Sequence, residues 1–191
     1  MLERFLRDAG HDLTVDWEAD VLGDVREMDR YDALVFNTLR REETTLSVAE
    51  REAMTQFISG GKGFVCIHIS GALPEAWPEY HGVTGGGWVF GTSTHPPYGT
   101  VDVQVTNDKH PCSEGISDFT TDDEHYTRLA WNPGNDVFMK AELDGTNHPM
   151  GWTRKYGEGK VMATALGHNG LSFQNPNFQR LVLNGVDYVT G

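Results

Sequence analysis

The chain has 191 residues, of which 38% are hydrophobic and 23% charged, which predicts one folded domain spanning 1–191 and excludes a disordered chain. Its formal net charge of −13 would repel nucleic acid and anionic membranes, so a small molecule is the expected partner. The sequence has no apolar stretch of membrane-spanning length and no signal-peptide core, and its two cysteines imply no disulfide framework. We therefore expect a cytoplasmic protein and leave a homo-oligomer open.

The N-terminal residues predict a helix followed by a short strand. Apolar residues recur on one face of 1–9, and Gly10 is a plausible C-terminal cap. Leu13, Val15 and Trp17 then alternate with polar residues, which predicts a strand. A doubly wound α/β domain normally begins with a strand, so we expect the first strand of the sheet to be missing from this sequence.

Two continuous apolar runs, 31–37 and 63–69, predict strands that are buried on both faces, as in a parallel sheet. A helix pattern over 47–58 lies between them and begins with a capping box formed by Ser47 and Glu50. Strand, helix and strand at this spacing form the βαβ unit of a doubly wound sheet. The long stretch 70–99 is rich in Gly, Pro, Trp and His and is predicted to be a functional loop.

From about residue 100 the pattern changes to hairpin-like strands and a closing helix. These added β-elements are expected to extend or flank the parallel sheet. The predicted strands cover 101–105, 137–143, 151–155 and 160–166, and the helix covers 178–188.

Histidines follow two of the predicted buried strands. Ligands of open α/β sheets bind beyond the carboxyl ends of the strands, so His68 and His168 are predicted to lie at a site. His95 in the long loop and the acidic pair Asp123 and Glu124 could converge with them. Such a set suits general acid–base chemistry or a divalent metal, although the spacings match no local metal motif. The alternatives are a core histidine bonded to a backbone carbonyl and an acidic turn exposed to solvent.

Cysteine and aromatic residues offer further candidates. Cys66 lies two residues before His68 on the same predicted strand, where an inert buried thiol is favoured over a nucleophile. Aromatic residues suit the faces of sugars, although most aromatic residues pack in protein cores. The aromatic residues considered are Trp77, Tyr80, Trp88, Tyr98, Trp131 and Trp152.

An ordered series of short motifs resembles the ThuA-like family, the trehalose-utilisation domain. The series runs from about residue 31 to the C-terminus and includes Gly-Phe-Val-Cys-Ile-His68, Trp77-Pro-Glu-Tyr80, His95-Pro96, Asp123-Glu-His-Tyr126, Gly-Trp152 and Leu-Gly-His168. The resemblance implies a flavodoxin-like three-layer α/β sandwich, similar to class I glutamine amidotransferases. In those enzymes a nucleophilic Cys occupies the position that His68 has here, so the resemblance argues against glutamine hydrolysis.

The resemblance implies a role in carbohydrate catabolism, with a small-molecule sugar as partner and a disaccharide or keto-sugar as the expected substrate of a hydrolase or isomerase. The expected catalytic residues are His68, Glu124 and His168. The expected substrate-binding residues are Trp77, Tyr80, His95, Asp123, Tyr126 and Trp152. A metal site of His68, His95 and His168 for Zn, Mn or Mg is left open. The alternatives are a non-catalytic sugar-binding or assembly module and an amidotransferase-like hydrolase that uses Cys66.

Overall fold

The computed structural model describes residues 1–39, 46–72 and 77–191, which form five helices and nine strands. The helices are α1 (Leu2–Asp8), α2 (Val25–Met28), α3 (Val48–Ser59), α4 (Tyr80–Thr84) and α5 (Pro176–Thr190). The strands are β1 (Ala33–Phe36), β2 (Gly63–Ile67), β3 (Gly86–Gly87), β4 (Gly99–Val105), β5 (Phe119–Asp123), β6 (Ala130–Trp131), β7 (Asp136–Leu143), β8 (Thr146–Tyr156) and β9 (Gly159–Thr164).

The predicted N-terminal helix is confirmed, but the predicted strand after it is wrong. Gly10 follows α1 with φ of +97°, the left-handed geometry expected after a helix end. No strand is formed at 13–17. Instead, the Asp16 carboxylate accepts hydrogen bonds from the backbone N–H groups of Glu18, Ala19 and Val21. These local bonds hold the chain in a turn and compete with a strand ladder.

Three parallel strands, β1, β2 and β9, form the part of the sheet that the apolar runs predict. β2 lies between β1 and β9, and all five of its residues are buried. The capping box of Ser47 and Glu50 begins α3 as predicted. Helices cover both faces of this part, since α5 packs against β2 and β9 on one side and α3 and α4 pack on the other. The chain is therefore an α/β protein.

The antiparallel half of the sheet brings a distant strand end to the same edge as β2 and β9. The main sheet has the order β1-β2-β9-β8-β7-β4-β5, and each pair from β9 to β5 is antiparallel. β9, β7 and β5 therefore run in one direction, so β2, β9 and β5 all end at one edge. In a flat sheet, β5 would lie about 19 Å from β9. Contacts between their ends, described below, show that the sheet curls.

The stretch 70–99 is partly structured. Its described residues include the second half of a 3₁₀ turn (His68–Gly71), helix α4 and strand β3, which pairs with β6. Within the described part of the chain, no helix is long and apolar enough to cross a membrane.

One histidine outside the site gives a test of pH-dependent stability. Burial lowers the pKa of His110, although Asp136 acts in the opposite direction. His110 Nδ1 accepts the N–H of Cys112, so Nε2 carries the proton and donates to Thr153 Oγ1 over 3.0 Å. Below about pH 6.5, the pKa of histidine in the unfolded chain, the unfolded chain binds a proton that the folded imidazole does not bind. The free energy of unfolding therefore decreases as the pH is lowered.

Replacing His110 with Gln is therefore expected to weaken the pH dependence of the free energy of unfolding. The reduction is at most about 1.4 kcal/mol per pH unit, the value for one proton. Urea unfolding from neutral pH down to about pH 5 measures it. The control is His11→Gln, at a partly exposed site. Equal slopes in wild type and His110→Gln would contradict the assignment.

Candidate functional site

His68 stands at a sharp turn where β2 passes into the 3₁₀ turn. Its φ is +54°, a left-handed conformation that is rare for a residue with a side chain. Strained backbone of this kind costs about 1–3 kcal/mol and is concentrated at functional sites. The turn places His68 at the carboxyl edge of the sheet. The predicted position of His68 at a strand end is confirmed.

A backbone carbonyl fixes the tautomer of His68. Nδ1 lies 3.0 Å from the carbonyl oxygen of Ala165, which can only accept, so Nδ1 carries the proton. Nε2 is therefore the unprotonated nitrogen. Burial, followed by the nearby His168 and His95, lowers the pKa of His68 to about 3. His68 thus presents a neutral lone pair to the site at physiological pH.

Glu124 is the point on which three imidazoles converge. Its Oε2 lies 3.4 Å from His68 Nε2 and 3.1 Å from His168 Nδ1. Its Oε1 lies 3.5 Å from His95 Nε2. The structure therefore brings together the three predicted catalytic residues, with His95 on the other oxygen of the same carboxylate.

Asp123 holds this arrangement in place, which differs from its predicted contact with substrate. Its side chain is buried, and its carboxylate accepts hydrogen bonds from four donors of the protein. These donors are Gly167 N at 2.8 Å, His168 N at 3.2 Å, Glu124 N at 2.9 Å and Ser172 Oγ at 2.7 Å. Asp123 thus joins the end of β5 to the loop after β9, and no oxygen is left pointing at a substrate.

Gly167 allows the His168 loop to lie against the end of β2. Its φ is +118°, and a Cβ at this position would lie 2.6 Å from Ile67 Cγ2 and 3.0 Å from Phe178 Cζ. Gly167→Ala is expected to destabilise the protein by about 2 kcal/mol or more, since it adds left-handed strain to overpacking. Urea unfolding measures the effect.

Gly170→Ala is the matched control, because no atom lies within 4 Å of a Cβ built there. We expect that variant to stay within about 0.5 kcal/mol of wild type. Equal stability of the two variants would show that the close approach at Gly167 does not constrain the loop.

Aromatic rings surround the cluster, and two of them have no assigned role in the sequence-based prediction. Tyr126 Oη lies 3.0 Å from His68 Nε2, so this predicted substrate-binding residue lies at the cluster. Trp88 packs on Tyr126 with ring centroids 4.6 Å apart, and Tyr98 packs on His168 at 5.3 Å. Composition alone could supply Trp88 and Tyr98 as candidates, but nothing in their local pattern distinguishes them from core aromatics.

A substrate must approach the cluster from its solvent side. The cavity behind His68, which is also lined by Cys66, Tyr126 and Trp152, measures about 10 Å³, room for about one water molecule. The side chains of His95 and His168 are 31% and 37% exposed, whereas that of Glu124 is 16% exposed. The open side therefore lies between these two histidines, with the carboxylate at its base.

Three predicted sugar-binding aromatics have packing roles instead. Trp77 and Tyr80 are buried against each other with centroids 4.7 Å apart, and Tyr80 Oη donates to the carbonyl of Ser70. Trp152 is buried and its indole N–H donates to the carbonyl of Thr84. All three rings are buried, and the polar groups of Tyr80 and Trp152 already have partners within the protein, so the predicted contact with substrate is not supported for them.

Cys66 is a buried thiol, as the favoured interpretation predicts. It is 1% exposed, and burial raises its pKa to about 12. Its Sγ lies 3.8 Å from the hydroxyl of Tyr80, on the opposite side of β2 from α5. A thiol with this pKa supplies almost no thiolate at neutral pH, so the geometry gives no support to an amidotransferase-like nucleophile.

Fold and site define an α/β protein with a histidine–carboxylate cluster at the carboxyl edge of a curled sheet. The chain belongs to the ThuA family, described as trehalose utilisation, whose family model matches residues 1–189. No curated protein sequence matches the chain.

Solved structures share the fold at low sequence identity. A ThuA-like protein from Parabacteroides merdae has a TM-score of 0.80 at 20% identity, over 99% of this chain and 82% of its own. A cytoplasmic protein from Salmonella typhimurium has a TM-score of 0.73 at 15% identity, over 98% and 85%. A GMP synthase subunit from Thermoplasma acidophilum has a TM-score of 0.63 at 14% identity, over 96% and 84%. At these identities the likeness concerns the fold alone.

Proposed function

We propose that this chain is an enzyme of carbohydrate catabolism, related to trehalose utilisation, that acts on a disaccharide or keto-sugar. The proposed catalytic residues are His68, Glu124 and His168, carried by a flavodoxin-like three-layer fold of the class I glutamine amidotransferase type. One observation carries the proposal: three imidazole nitrogens lie within 3.5 Å of the two oxygens of Glu124. The protein is proposed to work in the cytoplasm.

The cluster suits proton transfer next to a sugar carbonyl. Glu124 would take a proton from the carbon beside the carbonyl, and the C–H electron pair would form an enediolate. An imidazole N–H of His95 or His168 would stabilise the oxygen that becomes negative. The proton is then added to the former carbonyl carbon, and the hydroxyl proton moves to the former carbonyl oxygen. The product is the isomeric sugar, in which the carbonyl group has moved to the adjacent carbon.

Hydrolysis is the other reaction class that these groups could carry out. Glu124 would then take a proton from a water molecule that attacks the anomeric carbon, and a protonated imidazole would donate to the departing oxygen. Both reactions need the same carboxylate and an imidazole on the open side of the cluster.

The alternative of a non-catalytic sugar-binding module has less support. It depends on exposed aromatic platforms, whereas the predicted Trp77, Tyr80 and Trp152 are buried, and the polar groups of Tyr80 and Trp152 are paired. Tyr98 is 38% exposed, and its hydroxyl is near the Asp122 carbonyl and Asn169 Oδ1. Trp131 is 42% exposed and packs edge-on against Trp152, and these two partly exposed rings are a small surface for sugar binding without chemistry.

The proposal is tested with purified protein and a panel of disaccharides and keto-disaccharides, including trehalose. Product analysis by NMR would distinguish isomerisation from hydrolysis. We expect turnover of at least one keto-sugar by wild type and its loss in His68→Ala. Turnover that is unchanged in His68→Ala would refute the assigned site, and calorimetric binding of a sugar without conversion would favour the binding module.

A further inference from the structure

The most informative set of side chains in the described residues is the triangle formed by His68, His168 and Glu124. We infer that His68 Nε2, His168 Nδ1 and Glu124 Oε2 bind a divalent transition-metal ion, which leaves Glu124 Oε1, the oxygen that faces His95, for the proposed proton transfer. The inference extends the proposed function. Metal binding is argued from the three ligand atoms alone, and only a role of the metal in the reaction rests on the proposed function.

The three distances match the spacing of ligands around one metal ion. His68 Nε2, His168 Nδ1 and Glu124 Oε2 are separated by 3.1, 3.3 and 3.4 Å. With bonds of about 2.0–2.1 Å, two ligands of a tetrahedral zinc ion lie about 3.3–3.4 Å apart. The side chains therefore already have the separation that coordination requires.

The orientation of His68 is that of a metal ligand. Its Nδ1–H donates to the Ala165 carbonyl, so the unprotonated Nε2 is the nitrogen that lies 3.4 Å from Glu124 Oε2. Metal-binding histidines commonly donate their second nitrogen to a carbonyl in this way, which fixes the tautomer. Two lone-pair atoms 3.4 Å apart repel each other unless a proton or a cation lies between them.

Tyr126 is the group that a metal would have to displace. Its hydroxyl is 3.0 Å from His68 Nε2 and also interacts with the Glu124 carboxylate. When a cation takes the Nε2 lone pair, the hydroxyl can donate to Glu124 instead. Tyr126 would then orient the ligating carboxylate, a role that outer-shell partners of metal ligands often have.

Asp123 gives the site a second outer-shell anchor. Its carboxylate binds the backbone N–H groups of both Glu124 and His168, so one buried group positions two of the three ligands. Two ligands therefore keep their relative positions before an ion arrives, which reduces the entropy lost on binding.

The ligand types narrow the choice of metal. Two imidazoles and one carboxylate suit Zn²⁺, Mn²⁺ or Fe²⁺, whereas Mg²⁺ prefers a shell of oxygen atoms. This disfavours Mg among the metals left open by the sequence. His95 is the third histidine of the sequence-based metal prediction, but its Nε2 faces Glu124 Oε1, and the geometry favours Glu124 as the third ligand. Coordination positions remain for water or substrate on the open side.

The test measures metal binding without any substrate. Protein stripped with a chelator is titrated with Zn²⁺ and with Mg²⁺ by calorimetry, and Co²⁺ binding is followed by its visible absorption. We expect one Zn²⁺ per chain, much weaker Mg²⁺ binding, and at least an approximately 100-fold loss of Zn²⁺ affinity in His168→Ala and in Glu124→Gln. The control is His11→Ala, because His11 is distant in sequence from the three ligands and pairs with Asp187. This variant should bind Zn²⁺ as tightly as wild type.

Two outcomes would overturn the inference: wild type binding no Zn²⁺, or folded Glu124→Gln and His168→Ala variants binding Zn²⁺ as tightly as wild type. Circular dichroism establishes that each variant is folded. The result is separable from the proposed function. Sugar turnover by metal-free wild type would overturn the metal's part in the reaction and leave the enzyme assignment intact, whereas tight Zn²⁺ binding without any turnover would support the metal site and count against the enzyme.

Discussion

Replacing Glu124 with Gln is expected to lower turnover of the sugar substrate by about 10²–10⁴-fold, the usual contribution of a general acid–base group. The amide has nearly the shape of the carboxylate but cannot take a proton, and it weakens the interactions with His68, His95 and His168. Steady-state kinetics on the substrate found by the sugar panel measures the effect, which should lie mainly in kcat.

Glu158→Gln is the matched control for this prediction, because it makes the same chemical change at an exposed turn between β8 and β9. It should leave kcat unchanged. A Glu124→Gln variant that keeps more than about a tenth of wild-type kcat would show that this carboxylate is not the proton acceptor.

Replacing Asp123 with Ala is expected to reduce the free energy of unfolding by about 3 kcal/mol or more. The change leaves three backbone N–H donors without their acceptor, while Ser172 Oγ keeps only the Asp122 carbonyl, and each unsatisfied buried group costs about 1–3 kcal/mol before water or local movement compensates. The loop after β9 would also lose the bonds that attach Gly167 and His168 to β5, so His168 should move away from Glu124. Urea unfolding gives the stability.

The neighbouring residue supplies the control. The Asp122 carboxylate accepts one exposed hydrogen bond, from Thr100 Oγ1 over 3.2 Å, and its backbone carbonyl would be kept, so Asp122→Ala should cost less than about 0.5 kcal/mol. If the two alanine variants had the same stability, the buried carboxylate would not be the link that holds β5 to the loop after β9.

Local pattern was sufficient for the parallel part of the fold. Continuous apolar runs identify β1 and β2, and a capping box identifies the start of α3, because each depends on residues close together in sequence. The strand predicted from alternation at 13–17 was wrong for a physical reason. Alternation indicates which side chains could share a face, but not whether a neighbouring strand is available for backbone hydrogen bonds. The Asp16 carboxylate takes the nearby backbone N–H groups instead.

The sequence was enough to predict the two strand-end histidines of the site. It was not enough to predict how the other site residues pack around them. His68 and His168 follow β2 and β9, which are adjacent and parallel, so their proximity follows from topology. That Glu124 joins them depends on the curl of the antiparallel half, which no local pattern encodes. The role of Asp123 as a buried acceptor depends on the same closure. The predicted contact of Trp77 and Trp152 with substrate has no support from their burial, since composition does not distinguish a buried ring from an exposed one.

The curl of the sheet also has a consequence for how the protein folds. The cluster joins residues separated by 100 positions, as between His68 and His168, and by 58 positions, as between His68 and Tyr126. Contacts of such high sequence separation are slow to form because the intervening loops must close first. A partly folded chain that retains only β1, β2 and β9 would have its two strand-end histidines without their carboxylate. Activity would therefore report completed folding of the whole sheet rather than of its parallel core.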